Sequence, residues 1–177
     1  HEHADYIIMG TKGATGAKEV FLGTHAVHVI NKSKIPVIVV PDRFEFEKPM
    51  EILFPTDMEV PYPPEQVAPL VAVAKEHGSS IEVLHISTGY ELTEEQEQNK
   101  KQLDASLKDV THLFHETSSQ PIIEGISKFQ MTKKVSMLAM IRNKHTFLER
   151  IFIEPVIQKI GYHVSIPFLV IPILEEE

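Results

Sequence analysis

Four of the chain's eight glycines fall between residues 10 and 23: Gly10, Gly13, Gly16 and Gly23, with Thr24 directly after the last. They follow a short apolar run, Ala4-Asp5-Tyr6-Ile7-Ile8-Met9. A strand that ends in a glycine-rich loop and then feeds a helix brings backbone N–H groups together, with no side chains to block a phosphate. The chemistry this arrangement serves is anion binding. Amides of the Gly10–Gly16 loop and of Gly23-Thr24 would hold a triphosphate, and the Thr24 hydroxyl would add a donor. The alternative is a tight turn with close helix–sheet packing. No Gly-Lys-Ser/Thr completes a Walker loop. Lys12 would meet a phosphate only as a point charge and is read as a solvated side chain.

Other candidate chemistry is thinner. Asp57 ends a strand-like segment in Pro55-Thr56-Asp57, where a carboxylate either contacts a ligand or caps its own loop; loop capping is the reading preferred. The ten histidines raise a metal hypothesis. His1 and His3 share a face if extended, His25 and His28 are three apart on a helix, and His112 and His115 flank a strand's end. With no Cys and no His-Glu-x-x-His pattern, scattered surface histidines are expected rather than a metal site. Glu94, Glu95, Glu97 and Asp104 lie in a strongly polar stretch that reads as the solvated face of a helix. No carboxylate is placed beside the glycines for Mg²⁺, and no general base is evident, which argues against phosphoryl transfer.

Composition narrows the partners. The 177 residues carry a formal net charge of −8 with no lysine- or arginine-rich block, so neither nucleic acid nor an anionic membrane is an expected partner. The absence of cysteine removes disulfide and thiolate chemistry. No apolar run approaches the roughly 18 residues of a membrane span, and no signal peptide is visible, so a cytoplasmic location is expected.

Strands and helices alternate along the chain, the pattern of an α/β domain with a mostly parallel sheet. Strands are expected at 4–9, 35–41, 51–55, 81–86, 110–114, 135–141 and 166–171. The first of these is uniformly apolar at 6–9 and reads as buried. Helices are expected near 17–22 and at 24–31, 64–77, 92–108, 121–131 and 150–160. Pro64 opens the third of these and Gly78 stops it. Residues 42–49 are charged and read as a linker.

The chain also repeats itself. Residues 1–41 align with 132–172 at a constant offset of 131, without a gap. The identities are Met9/Met140, Thr15/Thr146, Phe21/Phe152, Ile35/Ile166, Pro36/Pro167, Val39/Val170 and Pro41/Pro172. The glycines are not repeated: Gly10 faces Ile141, Gly13 faces Lys144, Gly16 faces Phe147, and Gly23-Thr24 faces Glu154-Pro155. Glu154 would repel a phosphate and Pro155 lacks an N–H donor. The backbone plan is kept and the phosphate chemistry is lost. The chain opens on His1 rather than Met, and the repeat implies half a domain followed by a whole one. The expected limits are a remnant at 1–41, a linker at 42–49 and a complete domain at 50–174.

On these residues the chain resembles the universal stress protein family. That family's nucleotide signature is Gly, two residues, Gly, nine residues, Gly, then Ser or Thr, and Gly10, Gly13, Gly23 and Thr24 match it in full. Residues 5–9 and 35–41 look like its fourth and fifth strands, and Ile52-Leu53-Phe54-Pro55-Thr56-Asp57 like its first strand and adenine-side aspartate. The resemblance implies a five-stranded parallel sheet in order 3-2-1-4-5 with helices on both faces. It also implies ATP at the switch point between strands 1 and 4. The expected function is ATP-dependent conformation and dimerisation in stress response, without enzymatic turnover; the alternatives are slow ATP hydrolysis and a ligand-free structural module. The phosphate half of the ATP site is present, while strands 1 and 2 that would hold the base are not, so a nucleotide should bind residues 1–177 weakly. Asp57 marks a degenerate second site. Strand 35–41 is expected to pair antiparallel with 166–171, leaving 4–9 as an open apolar edge for another copy of the chain. Homo-oligomerisation is expected through these edge strands.

Overall fold

A computed structural model describes residues 4–11, 24–42, 44–87, 91–118, 122–142 and 166–174. Seven strands and four helices follow in the order β1 (Ile7–Gly10), α1 (Thr24–Lys32), β2 (Val37–Val40), β3 (Glu51–Thr56), α2 (Pro64–His77), β4 (Ser80–Ser87), α3 (Glu94–Ser106), β5 (His112–Ser118), α4 (Ile122–Thr132), β6 (Met137–Arg142) and β7 (Phe168–Pro172). The hydrogen-bonded strand order is β1-β2-β7-β6-β3-β4-β5. From β5 to β7 this is the expected order 3-2-1-4-5. The difference is one of count, because β2 pairs with β7 and extends the ladder to seven strands. Helices expected at 17–22 and 150–160 lie outside the described residues.

The chain divides into two compact units, Lys48–Ala139 and His1–Glu47 with Met140–Glu177. In the first, β3 is parallel to both β4 and β6, and β5 is parallel to β4. The near-continuous apolar runs of β3 and β4 fit strands covered on both faces: Ile52, Leu53, Phe54, Ile81, Val83 and Leu84 are all buried. Helix α2 starts with proline where no N–H is needed and ends on Gly78 at φ 65, a left-handed position that closes the last turn. Thr93 caps α3 through a capping box with Gln96. Leu103 and Leu107 are buried, whereas Leu92, grouped with them from the sequence, precedes the helix and is half-buried. The turn after α3 runs on through Val110, whose N–H donates to Leu107 O. The following strand therefore begins at His112, two residues later than its apolar residues suggest.

In the second unit, β1 runs parallel to β2, and α1 buries Ala26 and Ile30. β2 pairs antiparallel with β7 as expected. In that pairing Ile38 faces Leu169, its own counterpart at the 131-residue offset, with Val37 opposite Val170 and Val39 opposite Phe168. The ladder's local two-fold therefore passes through the Ile38–Leu169 pair. Two expectations are corrected here. β1 is the open edge that the β2–β7 pairing implied, but it is not buried as its apolar residues suggested: Ile8 is 69% exposed. The segments at 35–41 and 166–171 offer no free edge, because each is hydrogen-bonded on both sides within the chain. Among the described residues, β1 and β5 end the ladder.

Candidate functional site

Gly10 is the last residue of β1 and Thr24 the first of α1, so the glycine loop joins a strand's carboxyl end to a helix N-terminus. Gly13, Gly16, Gly23 and Lys12 lie outside the described residues. The strand end is tied down immediately after Gly10. Thr11, 2% exposed, donates its N–H to Val40 O at 3.0 Å, and its Oγ1 accepts Asp42 N–H at 3.2 Å. The four N–H groups of α1's first turn have no partners within the helix and carry its positive dipole end.

Gly10 itself is not a glycine for conformational reasons. Gly78 is the glycine with positive φ among the described residues. Among the described residues, a Cβ built on Gly10 meets only Val40 O, at 3.9 Å, which is ordinary contact.

Asp57, at the end of β3, is occupied by its own loop. Its Oδ1 accepts Glu59 N–H at 3.1 Å and its carbonyl accepts Gln96 Nε2 at 3.0 Å. Met58 follows in a left-handed conformation, φ 59. Asn99 Nδ2 holds the Met58 carbonyl at 2.8 Å, and Met58 N–H donates to Thr56 Oγ1 at 3.0 Å. Thr56 Oγ1 also bonds the Tyr62 hydroxyl, and His85 Nδ1 lies 3.3 Å from Thr56 O. Burial raises the Tyr62 hydroxyl far above the ordinary tyrosine range. Asp57 Oδ1 thus bonds within its own loop, while Gln96 and Asn99 of α3 hold the loop's carbonyls.

Burial is also the largest influence on Asp57, and it pushes the carboxyl above the ordinary aspartate range despite the Glu59 hydrogen bond. The native state then holds the proton more tightly than the unfolded state. Stability at this group is lost as pH rises from the ordinary value of 3.8 through the raised one. Asp57→Asn keeps the acceptor for Glu59 and removes the buried charge. It is expected to stabilise the protein at pH 7 by up to about 1 kcal/mol, the gain disappearing below pH ~3.8. Urea denaturation at both pH values measures this, and a loss of stability at pH 7 would show that the Glu59 bond outweighs burial.

Among the described residues no three His, Asp or Glu side chains gather as a metal site. His25 and His28 are exposed on α1. His112 bonds Asp104 Oδ1 at 3.0 Å, and His115 belongs to an ionic cluster around Glu82. That cluster was not anticipated. Its signal in the sequence is a carboxylate set inside the apolar run Ile81-Glu82-Val83-Leu84.

With the strand–loop–helix geometry established, comparison decides the resemblance. Residues 1–41 match the family model of the universal stress protein family. The matched segment contains β1, α1 and β2. The whole chain shares its fold with a universal stress protein from Archaeoglobus fulgidus DSM 4304: TM-score 0.66, 18% identity, 98% of this chain and 62% of that one. It also matches a functionally unknown protein from Pseudomonas aeruginosa PAO1: TM-score 0.60, 13% identity, 95% of this chain and 63% of that one. The chain thus spans less than two thirds of either structure. At these identities the likeness is one of fold. No curated protein matches the chain. No described helix is long and apolar enough to cross a membrane.

Proposed function

We propose that this protein is a nucleotide-binding protein of the universal stress type. It acts in stress response by ligand-dependent conformation rather than turnover, with ATP phosphates held between Gly10 and Thr24. The observation that carries this reading is Gly10: a strand-end glycine without positive φ whose Cβ would meet only Val40 O among the described residues, within a Gly-x2-Gly-x9-Gly-Thr spacing that belongs to a family-matched segment. A turn or close packing would explain a glycine with positive φ or a crowded Cβ. An approaching ligand explains one with neither.

In this reading residues 1–41 are the end of a first domain and 50–174 a second whose nucleotide motif is degenerate, its Asp57 turned to loop capping. The protein works in the cytoplasm and pairs with a second copy through the free edge of β1, where Ile8 stands exposed.

The test compares ATP, tripolyphosphate and adenosine by calorimetry. Phosphate-only recognition makes tripolyphosphate bind nearly as well as ATP, with Kd about 0.1–1 mM, while adenosine does not bind. If neither ATP nor tripolyphosphate binds, or if adenosine binds as well as ATP, the site is not a phosphate cradle.

A further inference from the structure

His112 opens β5, and both of its ring nitrogens face acceptors. Nδ1 lies 2.9 Å from Val110 O, and Nε2 lies 3.0 Å from Asp104 Oδ1. A carbonyl oxygen and an ionised carboxylate only accept, so each nitrogen has to carry a proton. A neutral imidazole carries one. The geometry is therefore that of an imidazolium. His85 and His115 differ: each has one ring nitrogen bonded, to Thr56 O and to Glu82 Oε2, and a neutral tautomer satisfies that.

The charge also has a place in the fold. Helix α3 carries Glu94, Glu95 and Glu97 in its first turn and no basic residue in its last. Its carboxyl end gathers unpaired carbonyls and the negative end of the dipole, where a cation is favoured. His112 arrives there from the next strand, beside the turn Leu107–Val110. The buried side chains of α3 are Asn99 and Leu103, so polar ties do much to hold it. Gln102 Oε1 accepts Tyr62 N–H at 2.7 Å and Ser106 Oγ donates to Tyr62 O at 2.8 Å, which fixes the helix to the loop before α2. The Asp104–His112 pair, with Lys100 Nζ 6.0 Å over the Phe114 ring, fixes it to β5.

We propose that His112 is a pH-set clamp: as an imidazolium it joins the last turn of α3 to the edge strand β5, and on losing its proton it lets go of Asp104. The bond to Val110, two residues away, is kept by the tautomer with its proton on Nδ1. Nε2 then turns a lone pair toward Asp104 Oδ1, and the two repel. The neighbouring charges are engaged elsewhere or exposed. Asp109 of the turn pairs with Lys75 of α2 at 3.1 Å, and Lys108 is exposed. Glu82 of β4 binds His115, which alternation along the strand puts on the opposite face of β5 from His112. Glu116 shares the His112 face and is exposed. Burial by itself would lower the pKa of His112; the bonds to Val110 and Asp104 outweigh it and hold the ring above the ordinary value of 6.5. The clamp's stabilisation is thus complete below pH 6.5 and is lost as pH rises through the raised value. It is independent of the nucleotide reading.

The experiment uses the whole chain as wild type, His112→Gln and Asp104→Asn. Proton NMR follows the histidine ring signals from about pH 5 to 9, the His112 signal being the one lost in His112→Gln. Its midpoint is expected above 6.5 in wild type and lower in Asp104→Asn. Amide hydrogen exchange, corrected for the intrinsic rate at each pH, reads the last turn of α3 and the start of β5. Between about pH 6 and 8.5 their protection is expected to fall about two- to fivefold in wild type and to stay constant in His112→Gln. A wild-type midpoint at or below 6.5 overturns the proposal. So does an equal fall in His112→Gln, which would trace the response to another group such as His115. If His112→Gln fails to fold, the signal is identified by its move in Asp104→Asn, and midpoints that all stay in place overturn the clamp.

Discussion

Valine at Gly10 is expected to leave the protein's stability within about 1 kcal/mol of wild type and to weaken tripolyphosphate and ATP binding at least tenfold, ~1.4 kcal/mol. The first half follows from the strand. Gly10 ends β1, its φ is not left-handed, and its Cβ would sit 3.9 Å from Val40 O. Branched side chains suit strands, and removing glycine lowers the entropy of the unfolded chain. The second repeat has already made a similar change: Ile141, the counterpart of Gly10, is buried within β6. The second half follows from what a phosphate needs, which is unobstructed approach to backbone amides at a strand end and a helix N-terminus. An isopropyl group at residue 10 stands in that approach. Calorimetry beside thermal melting separates the two halves. A folded Gly10→Val chain with wild-type affinity would place the phosphates elsewhere, and a chain that unfolds would return Gly10 to a structural role.

Local signals explain why much of the fold was legible. Pro64 and Gly78 set both ends of α2, whereas the antiparallel pairing of β2 with β7 was an expectation implied by the family resemblance. The burial of 4–9 was not legible from its own residues, because burial depends on neighbours, although the expected β2–β7 pairing already made this strand an edge. The apolar run at 6–9 fits a two-sided strand as well as the exposed edge that β1 forms. β5 began late because its entry is set by the turn Leu107–Val110, where apolar residues serve helix and turn as readily as strand. At the candidate site the glycine spacing is a local pattern, visible without structure. The contacts of Arg142 and Glu82 are not local. Arg142 meets Asn31 across 111 residues of sequence, and Glu82 meets His115 across 33. Such partners become neighbours only once the sheet has ordered its strands.

The Glu82 cluster carries the largest expected effect on stability. Its carboxylate, 1% exposed, accepts Lys133 Nζ at 2.6 Å, His115 Nε2 at 2.5 Å and Ser80 Oγ at 3.1 Å. The His115 ring lies against Phe129, 5.0 Å between centroids, so residues of β4, β5 and the end of α4 meet at this one anion. Burial alone would push the Glu82 carboxyl up. The hydrogen bonds from Lys133 and His115, with the Lys133 charge, outweigh it and hold the group below the ordinary glutamate range. Lys133→Ala leaves a buried carboxylate short of its main counter-charge and is expected to cost about 2–4 kcal/mol at pH 7. A depressed folded pKa means that the stabilisation is complete above the ordinary value of 4.5 and is lost as pH falls through the lowered one. The gap between wild type and Lys133→Ala should therefore narrow on acidification, since a protonated Glu82 no longer needs the lysine. The double variant Glu82→Leu/Lys133→Met removes both charges together and should recover most of the loss, because an apolar pair of similar volume often matches a buried ion pair. Urea denaturation of the three proteins across pH 3.5 to 7 decides the matter. A Lys133→Ala deficit that stays constant with pH, or a double variant no better than the single one, would mean that Lys133 contributes packing rather than charge.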